Sequence, residues 1–256
     1  MTATQARFPD LEGAGVIVTG GSTGIGAALV EAFALQGARV GFLDIAVAEG
    51  EALVERLGAG VAHAPVFEAV DLRDIAATRQ SVERLAAALG SIRVLVNNAA
   101  WDDRHDIDAV TEDYWDDNQA INLKPVFFLS QAVVPHLRRA GGGAIVNFSS
   151  IAFLLNMADV PAYAAAKAGI IGLTKSLAGR LGPDNIRVNA ILPGMIVTER
   201  QKKLWLTEEG IETMVARQCL KRPLVAEDMV GPCLFLSSAC SGAITAQTII
   251  ADGGLL

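Results

Sequence analysis

A glycine-rich turn at residues 19–26 is the feature that most constrains what this chain can fold into. The turn follows a short apolar run at 16–18 and opens a segment, 27–35, with the composition of a helix. Glycine lets the backbone bend tightly and approach an anion, while the helix that follows offers unpaired N–H groups. In this strand–turn–helix context the turn predicts a dinucleotide-binding site. The predicted contacts are Gly20, Ser22, Thr23, Gly24, Ile25 and Gly26.

Short apolar runs alternate with longer helical segments from one end of the chain to the other. The predicted strands are 16–18, 39–43, 66–70, 93–96, 144–148, 187–192 and 247–251. The predicted helices are 27–35, 46–57, 75–89, 114–139 and 162–181. This alternation predicts the α/β class: a Rossmann-type, doubly wound parallel sheet of about seven strands with helices on both faces.

The domain organisation follows from the length and from the absence of a linker. The 256 residues contain no internal repeat and no Pro/Ser-rich stretch, so we expect residues 1–256 to form a single dinucleotide-binding and catalytic domain. The exception to the alternation is 197–223, a polar segment with helical character after the sixth strand. Because ligands of open α/β sheets bind at the carboxyl ends of the strands, we expect this segment to be a small helical lid that covers the substrate.

Charge and hydropathy exclude several classes of protein. The formal charge is −7 and no Lys/Arg run occurs, which argues against nucleic-acid binding. No stretch reaches the ~18 apolar residues of a membrane span, and residues 1–15 lack the pattern of a secretory signal. The three cysteines are odd in number and lack metal-ligand spacing, so we expect buried, reduced thiols in a cytoplasmic protein. The sequence has no cluster of histidines and carboxylates with metal-ligand spacing, so we expect no metal site.

Two acidic residues follow the second and third predicted strands. Asp44 stands where a carboxylate accepts both hydroxyls of an adenosine ribose and repels a 2′-phosphate. Neither Thr23 nor Ile45 is basic, so we expect NAD rather than NADP as the cofactor; the alternative is that Asp44 is a solvated residue at a strand end. Asp71, which precedes Leu72, is expected either to meet the adenine amino group or to cap a helix.

Tyr163 and Lys167 form the candidate acid–base pair. Residues four apart on a helix project from one face, so the phenol and the ammonium are expected to lie together. A free phenol has a pKa of about 10, and a nearby cation lowers that pKa by favouring the phenolate. Ser150, thirteen residues before Tyr163, is expected to hold a substrate oxygen beside the phenol. The trio predicts proton exchange with an alcohol or a carbonyl.

The chain resembles the short-chain dehydrogenase/reductase family over essentially its whole length. The glycine turn matches the family's glycine motif, 97–100 its Asn-Asn-Ala-Gly segment, 193–194 its Pro-Gly turn and 252–254 its closing Asp-Gly-Gly. One departure is Ala100, where the family usually has glycine; we expect it only to shift a loop slightly. The further cofactor contacts implied by the resemblance are Asn98, Ala99, Pro193, Gly194, Ile196 and Thr198, with Tyr163 and Lys167.

The resemblance also implies a complete catalytic set. Ser150, Tyr163 and Lys167 match the family's catalytic residues, and Asn122 matches its structural and proton-relay asparagine. In that mechanism Tyr163 takes the proton from the substrate hydroxyl while hydride leaves the same carbon for the nicotinamide. Lys167 lowers the pKa of Tyr163 and holds the nicotinamide ribose. The family further implies a homotetramer, formed through its long helices and closing segment.

The polar groups near the predicted site favour a polyhydroxylated substrate. The segment 102–105 follows the fourth strand and carries several hydrogen-bonding side chains; the alternative for each is an ion pair in a surface loop. Trp205 in the predicted lid is suited either to stack on a sugar or to pack the lid onto the body. The candidate substrate contacts are Ser150, Asn156, Tyr163, Asp102, Arg104, His105, Gln201 and Trp205.

The segment 102–105 and the pattern formed by 199–201, Trp205 and 218–221 are similar to those of bacterial aldose 1-dehydrogenases of the D-xylose type. These enzymes oxidise a pyranose at its anomeric carbon to the lactone. The resemblance implies hydride transfer from an aldose (a pentose, hexose or 6-deoxyhexose) to NAD. Trp101 stands where that pattern has a small polar residue, so the particular sugar stays open. The alternatives are a short-chain dehydrogenase acting on a sugar acid, a polyol or a 3-oxoacyl substrate, and a protein that binds NAD without turnover.

Overall fold

The computed structural model describes residues 6–256, which contain one parallel sheet of seven strands. The strands are Gly15–Thr19 (β1), Arg39–Asp44 (β2), Val66–Ala69 (β3), Ile92–Asn97 (β4), Gly143–Phe148 (β5), Ile186–Pro193 (β6) and Thr248–Ala251 (β7). The helices are Gly24–Leu35 (α1), Val47–Gly58 (α2), Ile75–Leu89 (α3), Glu112–Asn122 (α4), Lys124–Arg139 (α5), Pro161–Leu181 (α6), Glu199–Leu204 (α7), Glu208–Arg217 (α8) and Val230–Ser237 (α9). All seven predicted strands are confirmed. Residues 1–5, part of the segment expected to lack a secretory signal, lie outside the described residues.

The strand order locates the ligand crevice. The order is β3-β2-β1-β4-β5-β6-β7, so chain order reverses beside β1. In the register of β1, Val18 lies opposite Phe42 of β2 on one side and Val96 of β4 on the other. Connections leave β1 and β4 in opposite directions, which opens a crevice at the carboxyl ends of these two strands. The glycine turn after β1 lies at this edge.

Alternate residues along the central strands fill two separate apolar cores. Val16 and Val18 pack with residues of α1, α2 and α9, whereas Ile17 packs with residues of α3, α5 and α6. Helices therefore cover both faces of the sheet, which is why the strands are near-continuous apolar runs rather than alternating ones. The doubly wound architecture predicted from the sequence is confirmed.

The prediction of one long helix over 114–139 is wrong. The structure has two helices, α4 and α5, with Leu123 in a non-helical conformation between them at φ −120°. Pro125 has no N–H to donate to the carbonyl four residues earlier, which favours a break in the helix here, although Pro135 is accommodated inside α5. In the first turn of a new helix the missing donor is tolerated. The break leaves Asn122 at the end of α4.

Cysteine exposure differs from the expectation. All three cysteines are free thiols, but only Cys233 is buried, whereas Cys219 and Cys240 are exposed. The prediction of three buried thiols is therefore wrong for two of them. Within residues 6–256, no helix combines the length and the apolar character needed to cross a membrane.

The segment 197–223 folds into α7 and α8 above the carboxyl edge of the sheet. It leaves from Ile196 and returns at Leu224, and these two residues form a parallel β-bridge. Near its end, the Cys219 N–H donates to the Gly254 carbonyl at 3.0 Å, which joins the segment to the C-terminal residues. Both ends of the segment are thus fixed to the body of the domain.

Candidate active site

The glycine turn is packed so closely that side chains would not fit. A Cβ on Gly26 would lie 1.8 Å from the Gly20 carbonyl oxygen, and a Cβ on Gly20 would lie 2.8 Å from the Ala99 Cα. Gly24 has φ +54°, a conformation that favours glycine, at the first residue of α1. The turn therefore presents backbone N–H groups, rather than side chains, at the start of a twelve-residue helix.

Asn98 holds the glycine turn in place. Its side-chain amide donates to the carbonyls of Thr19 and Gly20, at 3.0 and 3.1 Å. In return, the Thr19 hydroxyl accepts the N–H groups of Asn98 and Ala99, at 3.0 and 3.1 Å. The segment after β4 is thereby joined to the turn after β1, so the two edges of the crevice are built as one unit.

The Asp44 carboxylate also supports the turn from the end of β2. It accepts the N–H groups of Ser22 and Ala46, at 2.9 and 3.0 Å. The Ser22 hydroxyl is buried and has no hydrogen-bond partner among the described residues. Thr23, the N-cap residue of α1, makes no side-chain cap bond there. Unpaired donors beside a glycine turn fit the pyrophosphate of a dinucleotide, and a carboxylate at this strand end fits a ribose.

Asp71, expected either to meet the adenine amino group or to cap a helix, instead forms an ion pair with Arg73. Its carboxylate is bound by the Arg73 guanidinium, with the shortest contact at 2.7 Å, and this hydrogen bond lowers the pKa of Asp71 below its usual value. The cap of α3 is Asp74, whose side chain accepts the Ala77 N–H, so the helix-cap alternative for Asp71 is wrong. Leu72 beside it is buried in the core.

Ser150, Tyr163 and Lys167 meet at the end of β5. Ser150 follows the strand, its hydroxyl accepts the Ala152 N–H at 3.1 Å, and it lies close enough to the Tyr163 phenol to lower the pKa of that phenol. The Lys167 ammonium lies 5.5 Å from the centre of the Tyr163 ring and donates to the Phe148 carbonyl at 2.9 Å. Ser149, the neighbouring serine, points elsewhere, because its hydroxyl donates to the Lys167 carbonyl at 2.7 Å. The structure thus brings together the three side chains that the sequence spacing selects.

The electrostatics of this pair differ from the expectation that Lys167 governs the phenol. Burial raises the pKa of Tyr163, and the Asp102 carboxylate raises it further, while the Ser150 hydrogen bond and the charges of Arg104 and Arg200 lower it. Burial also lowers the pKa of Lys167 from 10.5 to about 8, because its ammonium lies in the interior. Since the Tyr163 side chain keeps some access to solvent, water offsets part of the burial effect on the phenol.

Asn122 ties the end of α4 to the segment after β4. Its side-chain oxygen accepts the Trp101 N–H and its side-chain nitrogen donates to the Trp101 carbonyl, both at 2.9 Å. The Trp101 ring packs against Tyr114, with ring centres 5.7 Å apart. The indole that departs from the aldose-dehydrogenase pattern is therefore at least partly a packing group against α4.

The polar segment 102–105 contacts the segment 197–223. Asp102 is bound by Arg200 and by the Gln201 side-chain amide, the latter at 3.4 Å. Arg104 lies over the Trp205 ring, 5.6 Å from its centre, and forms an ion pair with Asp159 at 3.2 Å. Asp159 is not among the residues that the sequence indicates, because nothing local in the sequence shows that it faces this segment.

His105 does not occupy the substrate-contact position expected for it. Its Nε2 accepts the Ala162 N–H at 3.1 Å, and its Nδ1 lies 2.8 Å from the Tyr114 hydroxyl and 3.0 Å from the Asp103 carbonyl. Both ring nitrogens are thus paired within the protein. No local pattern indicates this contact, since Ala162 lies 57 residues away along the chain.

The remaining candidates lie at the edges of the crevice. Gly194 approaches the C-terminal segment so closely that a Cβ would lie 2.7 Å from the Asp252 Cα. Thr198 caps α7, and its methyl group lies 3.5 Å from the Cβ position of Gly24, so the root of the lid adjoins the glycine turn. Asn156 is an exposed turn residue. Pro193 ends β6, and the Ile196 backbone forms the bridge at the root of the lid. In residues 6–256 no group of His, Cys, Asp and Glu is arranged to hold a metal ion.

Comparisons with known proteins agree with this geometry. Residues 20–256 match a family of the short-chain dehydrogenase type, described as "Enoyl-(Acyl carrier protein) reductase". The chain is 64% identical over 255 residues to the "Probable galactose dehydrogenase GalD" of Rhizobium meliloti (strain 1021), covering 100% of both. It is 44% identical over 251 residues to the D-xylose 1-dehydrogenase of Caulobacter vibrioides, covering 98% of this chain and 99% of that one.

A solved structure supports the same assignment. A provisionally assigned short-chain alcohol dehydrogenase from Sinorhizobium meliloti 1021 superimposes with a TM-score of 0.89, at 34% identity, over 97% of this chain and 98% of that one. The resemblance seen in the sequence is thereby confirmed. The chain belongs to the short-chain dehydrogenase/reductase family, whose members are oxidoreductases that use a nicotinamide cofactor.

Proposed function

We propose that this protein is an NAD-dependent aldose 1-dehydrogenase, which oxidises the anomeric carbon of a pentose, hexose or 6-deoxyhexose to a lactone. The observation that carries the proposal is the meeting of Ser150, Tyr163 and Lys167 beside a glycine turn with unpaired donors. The choice of an aldose is supported by the two relatives, which are named for galactose and for D-xylose.

The catalytic residues act on the proton of the substrate hydroxyl. Ser150 hydrogen-bonds the substrate oxygen, and Tyr163, as the phenolate, accepts the proton of the substrate hydroxyl while the same carbon loses hydride. When bound, the nicotinamide accepts that hydride. Lys167 stabilises the phenolate form of Tyr163, which is the form that accepts the proton, and would bind the nicotinamide ribose. Asn122 fixes the segment that borders the site and orders a water path that returns the proton to solvent.

The dinucleotide is held by backbone at its phosphates and by side chains at its ends. The glycine turn and Ser22 bind the pyrophosphate, and Asp44 binds the adenosine ribose. Asp71 and Leu72 border the adenine. The remaining proposed contacts are Thr23, Ile25, Asn98, Ala99, Pro193, Gly194, Ile196 and Thr198.

The cofactor preference is predicted to depend on Asp44. The wild-type protein should use NAD at least about a hundredfold better than NADP by kcat/KM, because the carboxylate repels a 2′-phosphate. Asp44→Ser should reduce that preference to less than about tenfold, mainly by raising the KM for NAD, since the two hydroxyl contacts are lost. Steady-state kinetics with both cofactors measure this, and an unchanged NAD/NADP ratio in the variant contradicts the assignment.

The lid, residues 197–223, supplies candidate contacts for the sugar. The Gln201 side-chain oxygen and the Trp205 indole N–H are buried and have no hydrogen-bond partner among the described residues. The Gln201 amide contacts the Asp102 carboxylate and the Trp205 ring lies under Arg104, so an unpaired acceptor and an unpaired donor lie among polar groups and suit the hydroxyls of a sugar. Arg104 and Asn156 are the further candidates, and His105 is withdrawn from this set because both of its ring nitrogens are paired.

The remaining parts of the proposal follow from the family. The 256 residues act as one cytoplasmic catalytic domain and assemble as a homotetramer, without nucleic-acid or membrane partners. The alternative substrates are a sugar acid, a polyol or a 3-oxoacyl compound. A protein that only binds NAD is disfavoured because it has no use for the acid–base group at Tyr163.

A substrate panel tests the proposal. The purified protein is assayed for NADH formation with D-galactose, D-xylose and other aldoses, each with NAD and with NADP, against sugar acids, polyols and a 3-oxoacyl thioester run in the reductive direction. We expect NADH from at least one free aldose, with the lactone as product. Turnover of one of the other substrates in the absence of any aldose activity overturns the proposal.

A further inference from the structure

The start of α6, the helix that carries Tyr163 and Lys167, has no cap of its own. Its N-cap residue is Val160, which has no side-chain acceptor, and its first residue, Pro161, has no N–H. The next N–H, on Ala162, therefore needs an acceptor from elsewhere in the chain. Val160 and Ala162 are both fully buried, so water is a poor substitute.

His105 supplies the missing acceptor. Its Nε2 lies 3.1 Å from the Ala162 nitrogen, one residue before Tyr163. Because Nε2 accepts, the ring is neutral and carries its proton on Nδ1, next to the Asp103 carbonyl and the Tyr114 hydroxyl. The His105 ring also packs against Tyr114, with ring centres 4.9 Å apart, so its orientation is fixed.

Two further contacts hold the same junction. The backbone N–H of His105 donates to the backbone carbonyl of Asp159 at 2.9 Å, just before α6 begins. From α4, the Gln119 side-chain amide donates to the Ala162 carbonyl at 3.0 Å. The first turn of α6 is thus held from two sides, and His105 is the contact that satisfies its N–H.

We propose that His105 is a positioning residue whose neutral imidazole caps α6 and sets the place of the Tyr163 phenol relative to Ser150. The inference rests on the proposed catalytic role of Tyr163. It also connects the lid to the chemistry, since Asp102 and Asp103, which bind Arg200 of the lid, lie in the same short segment as His105. A displaced segment would therefore move the helix that carries the phenol.

Two substitutions separate the acceptor from the shape of the ring. His105→Phe keeps an aromatic ring against Tyr114 but removes the acceptor, whereas His105→Gln keeps an acceptor near the position of Nε2. We expect H105F to lower kcat about tenfold or more with the KM for NAD within about twofold of the wild type, because a misplaced phenol slows the proton transfer and leaves the nucleotide contacts intact. We expect H105Q to keep kcat within about twofold. His63→Phe, a loop histidine outside this network, is the matched control.

The outcomes discriminate among the explanations. Wild-type kcat in H105F overturns the proposal, and so does an H105Q variant as slow as H105F, since that result assigns the effect to the ring rather than to the acceptor. If H105F does not fold, His105→Lys, whose ammonium donates but cannot accept, replaces it under the same expectations. Tyr163→Phe is measured alongside: if it is inactive while H105F is fully active, only this inference fails, whereas an active Y163F removes the proposed function itself.

Discussion

Tyr163→Phe should lower kcat for aldose oxidation by about a thousandfold or more, because it removes the only group proposed to accept the substrate proton. The Ser150 hydroxyl near the phenol has no acid–base capacity of its own near neutral pH, so it does not replace the tyrosine. The ring itself is retained in the variant, and the packing around Lys167 should change little.

The control for Y163F is cofactor binding. The glycine turn and Asp44 do not contact the phenol in the described hydrogen bonds, so the Kd for NAD, measured by titration calorimetry, should stay within about threefold of the wild type. Turnover within tenfold of the wild type in Y163F contradicts the proposed mechanism.

Lys167→Met is expected to lower kcat about a hundredfold and to raise the KM for NAD as well. The ammonium favours the phenolate form of Tyr163 that accepts the substrate proton, and it is proposed to bind the nicotinamide ribose. Methionine fills a similar volume without either interaction. Lys175→Met, on an exposed position of the same helix, is the matched control and should keep wild-type kinetics.

The same variant is expected to change how stability depends on pH. Burial lowers the pKa of Lys167 from 10.5 to about 8, so between these values the unfolded chain binds more protons than the folded protein. The free energy of unfolding of the wild type should therefore rise with pH from about 8, by up to about 3 kcal/mol. Above pH 10 the rise should be opposed, because the pKa of Tyr163 is raised in the folded protein and the unfolded chain loses that proton first. The destabilisation of the folded protein by the buried Lys167 ammonium is largest below pH 8.

Urea unfolding at pH 7.5 and 9.5 measures this effect. K167M should be more stable than the wild type at the lower pH and should lack the rise between the two values, whereas K175M should follow the wild type. If the wild type shows no rise relative to K167M, the ammonium is not as buried as the structure places it.

The parts of this molecule that could be predicted from its sequence are those fixed by local pattern. The apolar run and glycines around Gly24 specify a strand, a turn and a helix within some twenty residues, and the packing around Gly20 and Gly26 shows why only glycine fits. The pairing of Tyr163 with Lys167 follows from helical periodicity alone.

The parts that could not be predicted depend on contacts between distant residues. Arg104 is a candidate substrate contact from its place after the fourth strand, but the sequence does not show that its guanidinium also pairs with Asp159 and lies over the Trp205 ring. His105 reads as a substrate ligand, yet it caps a helix that begins 56 residues later. The break at Leu123 does not follow from the helical composition of 114–139, and Pro125 is the residue in the sequence that indicates it.

Transfer of deuterium from the sugar to NAD tests whether the anomeric carbon is the hydride donor. The protein is incubated with NAD and either an unlabelled aldose that it oxidises or the same aldose with deuterium at the anomeric carbon, and the NADH formed is analysed by mass spectrometry and NMR. We expect one deuterium at the nicotinamide C4 from the labelled sugar, together with the lactone. Unlabelled NADH formed from the labelled sugar contradicts it, because the hydride would then come from another carbon.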